Sequence, residues 1–515
     1  MPDVLRGIIH QADTGPERPA VRDLDRELNY AQLCEEAARL GAGLAACGVR
    51  EGDRVALLLP NSVDFAVAAV ACLWIGAIFV PLAVTDPEAR VATIVADCTP
   101  SVVIISDPGE DPAEVPSFGG TPVMAISSLR PVGAAPVGPV PASPREAYAI
   151  YTSGTTGTPK GVLISTGAFG AAVEATVEAL GLDRATRTLC VSPFYFDGSF
   201  GTLFPTLYSG GAVVIRPREA LLFPRTFFNA VLKEGITYTG FSPSYLRLLL
   251  ANNQMGKLAD STLDVIALGG EASSVADIRA VWAAAPRIRV FNRYGPTETT
   301  IAVTHVELTP EMTADGIVPM GGPHPGVSFH LVGDDGAVID GEGRTGELYI
   351  GGSQLMSGYW GAPGLTDEVL RTDVVPGGPV YRTGDLVYRD GNGRYVYVDR
   401  ADRVIKRSGV RISLVELGEA MRSLTDVSAA ACVTFDNDGE LGIVAFVVSE
   451  GSATPLELQQ AARERLPDTM LPNRVELVDE LPLTASSKLD ERLLLSGAGL
   501  APLRAATAPG ALSPT

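Results

Sequence analysis

Three observations predict an α/β fold for the large N-terminal part of this 515-residue chain, with a β-rich subdomain and a small α+β domain after it. Apolar strand-like runs alternate with amphipathic helical patterns up to about residue 300, the pattern of helices packed on largely buried sheets. From about Val327 the strands shorten and Gly/Asp turns separate them. After Arg400 a helix, a hairpin and a second helix follow.

The individual elements can be read in order. "DRVALLLP" (53–60), "IFVPL" (78–82), "SVVIIS" (101–106) and "GAVVIRP" (211–217) are short, apolar and β-branched, as buried strands are. Residues 30–47 and 62–75 carry helical patterns between them. "VSFHLV", "GELYIGG" and "RYVYVD" alternate with period two and build the β-rich part. In the C-terminal part, residues 414–424 and 455–466 read as helices. The strands "AAACVTFD" and "LGIVAFVVS" flank Asn437-Asp438-Gly439, a hairpin signal. The expected division is a core over 1–401, a small domain over 402–500 and a disordered, low-complexity tail over 501–515. There is no internal repeat.

Composition narrows the function. A formal charge of -20 with 46% apolar and 19% charged residues is that of a globular protein with an acidic surface. Sequence-independent binding to nucleic acid or to anionic membrane needs Lys/Arg clusters, and none is present. The six cysteines show no ligand-like spacing and read as reduced thiols of a cytoplasmic protein. The four histidines are dispersed, which argues against a histidine-built metal site. The N-terminus has no signal-peptide pattern. "FAVAAVACLWIGAIFVPL" (65–82) approaches the length of a membrane span. Gly76 and Pro81 interrupt it, and it reads better as a buried helix followed by a buried strand.

"YTSGTTGTPKG" (151–161) is the candidate phosphate site. It fails the Walker A pattern, because Pro159 separates the second glycine from Lys160. Small residues after an apolar strand still let backbone N–H groups face an anion. Ser153, Thr155 and Thr156 add hydroxyl donors, Gly154 and Gly157 add freedom, and Lys160 adds charge. A linker would need neither the lysine nor the strand.

With "LNYAQL" (28–33), "NRYGPTETT" (292–300), "GELYIGG" (346–352) and "YRTGDL" (381–386) following in order, the chain resembles the adenylate-forming superfamily. That superfamily includes nonribosomal peptide synthetase adenylation domains, acyl-CoA synthetases and luciferases. The resemblance runs from residue 28 to Lys488. It implies a large N-terminal domain of two α/β subdomains plus the β-rich subdomain, and a small mobile C-terminal domain. It also implies a two-step reaction. A carboxylate attacks the α-phosphate of ATP, giving an acyl-adenylate and pyrophosphate, and a thiol then captures the acyl group. The resemblance gives Lys160 and the loop hydroxyls to pyrophosphate, Glu298 to Mg²⁺, Thr297 to the α-phosphate and Tyr294 to adenine. It gives Asp385 to the ribose hydroxyls, with Arg400 beside it. Lys488 would bridge the substrate carboxylate and the α-phosphate, although Ser486-Ser487 stand where the family usually has Asn-Gly. Asp402 falls at the family's hinge and Gly409 at its pantetheine tunnel. Taken singly, Tyr294 as a core aromatic, Asp385 as a turn residue, Glu298 as a solvated carboxylate and Lys488 as a surface lysine are the ordinary readings.

"FYFDGSFGTLFPTL" (194–207) bears on the substrate. It resembles the peptide-synthetase segment in which an aspartate binds the substrate ammonium. A buried Asp197 needs a cation, and an amine would be one. The plain alternative is an Asp bonded to its own turn. Alignment by motif gives the pocket wall as Gly198, Gly201, Gly240, Ile266, Leu268, Arg293, Ile301 and Ala302. Gly201 and Gly240 make room for a large side chain or for a β-amino acid. Arg293 could pair with an acidic side chain or point away to backbone carbonyls. With no carrier or condensation domain in the sequence, the expectation is a free-standing enzyme loading a separate carrier protein through its phosphopantetheine arm. By analogy it would serve polyketide macrolactam or nonribosomal peptide assembly. An acyl- or aryl-CoA ligase and a non-catalytic nucleotide-binding protein are the competing readings.

Overall fold

The computed structural model describes residues 3–107, 116–130, 136–141, 145–152, 159–251, 254–333, 335–400, 404–407, 410–437, 440–449, 451–482 and 491–502. The chain forms two compact units. One comprises 1–84, 91–152 and 160–402, and the other comprises 85–90, 153–159 and 403–515.

The first unit holds three sheets. In the eight-stranded sheet, six parallel strands run in the order Val265–Gly269 next to Tyr238–Phe241, then Arg187–Cys190, Ala212–Ile215 and Pro19–Arg22, with Arg289–Tyr294 on the other side of Val265–Gly269. Antiparallel edge strands Thr304–Leu308 and Glu27–Asn29 close its two ends. The seven-stranded sheet has a parallel centre of Glu146–Thr152, Ile78–Pro81, Arg54–Leu58, Val102–Ile105 and Val123–Ala125. Lys160–Ser165 and Gly358–Tyr359 add to it antiparallel. The third sheet is antiparallel: Val327–Val332, Thr345–Gly352, Val380–Arg389, Leu370–Arg371 and Tyr395–Arg400. The predicted α/β core and β-rich subdomain are both present.

The apolar stretch after Ser62 folds as the better reading required. Val63–Ile75 is a helix whose N-terminus is capped by the Ser62 hydroxyl, and Gly76 ends it at φ 73°, a conformation that favours glycine. The strand Ile78–Pro81 follows, and both elements are buried. Among the described residues no helix is long and apolar enough to cross a membrane.

The second unit has its own small core of Val433, Phe435, Val444, Phe446, Leu494 and Leu495. The expected hairpin is Val427–Asn437 with Glu440–Ser449. The expected helices are Leu414–Arg422 and Pro455–Arg463. The sequence reading missed the parallel third strand Arg474–Leu477 and the ribbon Val404–Arg407 with Val410–Ser413. Both pieces are four residues long, too short for a periodicity to register.

Candidate active site

The substrate segment begins a helix, Asp197–Ser209, with Asp197 in its first turn. Phe200 and Phe204 of this helix pack into an aromatic cluster with Phe79, Tyr148 and Phe169, which fixes the helix against the seven-stranded sheet and the helix Thr166–Leu180. Asp197 is half-buried as a residue, but its Oδ2 has no solvent contact and no hydrogen-bond partner. Burial pushes this carboxyl up to about 6, opposed by the Thr297 hydroxyl and assisted by the Glu298 charge; the Gly198 amide and Arg293 also oppose it. The Tyr148 hydroxyl, buried and without a partner, lies within the field of the same carboxylate.

Arg293 ends the neighbouring arrangement. It lies in the strand Arg289–Tyr294, is 8% exposed, and its Nη1 has no partner. Its side chain runs over three glycines. A Cβ on Gly269 would stand 2.4 Å from Arg293 Cγ, one on Gly201 3.1 Å from Nη1, and one on Gly240 3.3 Å from Nη2. Of the two orientations left open by the sequence, the guanidinium takes the one toward Gly201 and Gly240. The room these glycines make is therefore occupied by Arg293.

Two proposed wall residues belong elsewhere. Ile266 and Leu268 sit in the core cluster with Phe241, Leu246, Leu249, Ile278 and Val290. Side chains alternate along a strand, so the residues of Val265–Gly269 that share Arg293's face are Val265, Ala267 and Gly269; Gly269 pairs directly with Arg293. Ile301 and Ala302 are buried beside the pocket, Ile301 within reach of a Cβ on Gly201.

The nucleotide-type residues form a second group. The Tyr294 hydroxyl donates to Asp385 Oδ2, and both residues are buried. Gly384 at φ 72° turns the strand there, and the Asp385 amide donates to Thr383 Oγ1 at 2.9 Å. Asp385 is paired in register with Arg400, whose backbone alone is described. Glu298, 3% exposed, accepts from the Tyr359 hydroxyl at 2.9 Å. Lys160 Nζ stands 4.8 Å from the centroid of the same tyrosine ring. Tyr359 thus spans the lysine and the carboxylate, a link that no motif announced. A buried carboxylate of this kind suits Mg²⁺ held mainly by nucleotide phosphates, since no group of three or more His, Cys, Asp or Glu among the described residues could hold a metal by itself. Thr297 is buried next to Glu298. Ser153, Gly154, Thr155, Thr156, Gly157, Asp402, Gly409 and Lys488 lie outside the described residues.

Two of the dispersed histidines meet. His305 Nδ1 lies 2.8 Å from His324 Nε2, and His324 Nδ1 lies 2.9 Å from Gln354 Oε1. Gln354 Nε2 donates to the carbonyls of Ala302 at 2.7 Å and Thr300 at 3.3 Å. Those carbonyls belong to the segment where Thr300 and Ile301 adopt φ 60° and 69°, costly for β-branched residues.

Fold and site together fit the class of AMP-binding enzymes. The chain belongs to the AMP-binding enzyme family, whose model matches residues 8–360, with the family's C-terminal domain matching 416–488. It is 33% identical over 506 residues to a dimodular nonribosomal peptide synthase of Bacillus subtilis, covering 94% of this chain and 21% of that protein. It is 33% identical over 502 residues to syringomycin synthase SyrB1 of Pseudomonas syringae, covering 94% of this chain and 80% of that one. Among solved structures, o-succinylbenzoate CoA synthetase of Bacillus subtilis matches with a TM-score of 0.85 at 23% identity, over 96% of this chain and 98% of that one. A four-domain nonribosomal peptide synthetase bound to AMP and glycine matches with a TM-score of 0.69 at 26% identity, over 95% of this chain and 36% of that one.

Proposed function

We propose that this protein adenylates an amino acid with ATP and passes the aminoacyl group to the phosphopantetheine thiol of a separate carrier protein, in nonribosomal peptide or polyketide macrolactam assembly. The observation that carries the amino acid is Asp197. A buried carboxylate oxygen without a partner, on a group whose charge is disfavoured by its surroundings, calls for a cation. A substrate ammonium supplies it. In the first step a substrate carboxylate oxygen forms a bond to the α-phosphorus, and the bond to the bridging oxygen breaks with departure of pyrophosphate. Lys160 and the loop of residues 153–157 bind that anion. Glu298, oriented by Tyr359, would hold Mg²⁺, which would neutralise phosphate charge. Tyr294 and Asp385 take the nucleoside, and Lys488 offsets repulsion between the two reacting anions. In the second step the carrier thiolate takes the acyl carbon and AMP leaves.

The orientation of Arg293 favours a second carboxylate on the substrate over a long apolar chain, because the guanidinium fills the space between Gly201 and Gly240. A β-amine remains compatible with that choice. The test is ATP–pyrophosphate exchange across α- and β-amino acids, acidic and aliphatic, each with its des-amino analogue. Exchange that needs both the amine and the acidic group supports the reading; exchange with des-amino acids alone overturns it. Acyl transfer to free coenzyme A without any carrier would instead make the protein a CoA ligase.

A further inference from the structure

The hydrogen-bond chain through the two histidines has a fixed direction. Gln354 Nε2 faces backbone carbonyls, so its Oε1 can only accept. His324 therefore carries its proton on Nδ1 and presents a bare Nε2 to His305. His305 in turn donates from Nδ1, which leaves its own Nε2 with a lone pair, buried and without a partner. His305 stands directly opposite Arg293 in antiparallel register, on the same face of the sheet. Two neighbouring residues thus end in unpartnered buried nitrogens: one a fixed donor, the other a lone pair.

We propose that His305 is a specificity-determining partner of Arg293: its Nε2 takes a proton from water as the substrate's second carboxylate docks, and then donates a hydrogen bond to it. This rests on the dicarboxylate reading given above. The neutral ring cannot present a donor by changing tautomer. A bare Nδ1 would face the bare Nε2 of His324, and His324 is held by Gln354. Taking up a proton leaves the whole chain unchanged and adds one donor. Before binding, burial, His324 and the positive charge of Arg293 hold His305 well below the usual histidine range. A docked carboxylate reverses the sign of the nearest field. The other charges around the strand do not compete. Glu174 and Glu178 of the covering helix Thr166–Leu180 are exposed, and exposed Glu307 is paired with Arg289.

Titration calorimetry of the full chain at pH 7, in two buffers of different ionisation enthalpy, counts protons taken up. The probes are aspartate and glutamate, with asparagine and glutamine as the matched carboxamides. The amides share the ammonium, so subtracting them removes any contribution from Asp197. The dicarboxylate that supports Arg293-dependent exchange should take up close to one proton more than its amide, an uptake of about one per site. His305→Gln and His305→Asn should abolish that difference and raise the KM for the dicarboxylate roughly tenfold or more, with kcat kept. ATP binding, which involves neither residue, reports that each variant is folded. Arg293-dependent exchange without extra proton uptake, or with no effect of either variant, overturns this proposal alone. Silence from every acidic amino acid overturns the dicarboxylate reading and this proposal with it.

Discussion

Asp197→Asn should make the protein more stable while removing its activity. The wild-type carboxyl moves from an ordinary 3.8 to about 6 in the folded chain. An upward shift on an acid means that the folded state binds the proton more tightly than the unfolded state does. Between these two values the native state carries more bound protons, so stability falls as pH rises and the loss is complete above the folded value. A shift of this size corresponds to a cost of about 3 kcal/mol at pH 8, from 1.36 kcal/mol per unit. Asparagine keeps the shape and discards the charge. The gain should therefore be present at pH 7–8, shrink through pH 6 to 4, and vanish below the ordinary carboxyl value.

The assay is chemical denaturation of both proteins at pH 8 and pH 4.5, supported by thermal melts. In a unit of this size about 3 kcal/mol should move the melting temperature by only a few degrees. In parallel, amino-acid-dependent pyrophosphate exchange should fall by about two to three orders of magnitude, the consequence of losing one partner of a buried ion pair. A variant no more stable than wild type at pH 8, or one whose gain is the same at both pH values, would refute the view that Asp197 is an uncompensated charge awaiting a cation. Retained exchange would refute its role with the ammonium.

Tyr359→Phe removes the donor to Glu298 but keeps the ring beside Lys160. It should raise the KM for MgATP roughly tenfold through the lost hydrogen bond, whereas Tyr359→Leu should cost more by disturbing both partners; a Phe variant with wild-type KM would show that the hydroxyl contributes nothing, and equal effects of the two variants that the ring contributes nothing. Gly269→Ala puts a Cβ 2.4 Å from Arg293 Cγ. It should cost about 1–3 kcal/mol in stability and lower the preference for acidic over neutral substrates; an unchanged preference in exchange assays would mean that Arg293 does not read the substrate. Gln354→Leu removes the donor that holds the Thr300–Ala302 carbonyls and the anchor of His324. Stability should fall by about 2–4 kcal/mol, from buried carbonyls and an imidazole left unpaired; a loss within 0.5 kcal/mol, the usual range of a surface substitution, would count against a structural role for the chain.

The order of motifs made the fold legible and drew notice to Tyr294, Glu298 and Asp385, because the role proposed for each rests on residues within one short segment. Tyr294 and Asp385 come from separate segments, yet each is marked by its own neighbours. The substrate end was less legible because it is assembled across strands. Whether Ile266 or Ala267 faces the pocket turns on a one-residue register, which composition does not set. The direction of Arg293 depended on Gly269, whose effect is visible only when the two strands are side by side. His305 and His324 looked dispersed because 19 residues separate them along the chain. Gln354 carries no motif at all; its importance comes from a backbone that departs from the common conformations 54 residues away, at Thr300. Tyr359 could have been suspected only as the aromatic at the end of "GGSQLMSGYW".

If Arg293 reads a substrate carboxylate as proposed, charge more than space sets the selectivity, and that has a measurable form. Glycines at 201, 240 and 269 would ordinarily widen a pocket, and wide apolar pockets discriminate poorly: one methylene changes kcat/KM by about 10–200-fold. Here the same glycines let a guanidinium lie close to the sheet and present an unpaired nitrogen. A site that buries an unpaired polar group rejects an analogue lacking its partner far more strongly, by about four to five orders of magnitude where the pairing is complete. The ratio of kcat/KM for a dicarboxylic amino acid over its carboxamide should therefore exceed the ratio between dicarboxylic homologues one methylene apart. Arg293→Met should collapse the first ratio and leave the second nearly unchanged, since the two have different physical origins. Pyrophosphate exchange with aspartate, glutamate and their amides measures both ratios in one experiment. If homologues are separated more sharply than acid from amide, the pocket selects by length and the three glycines serve space after all.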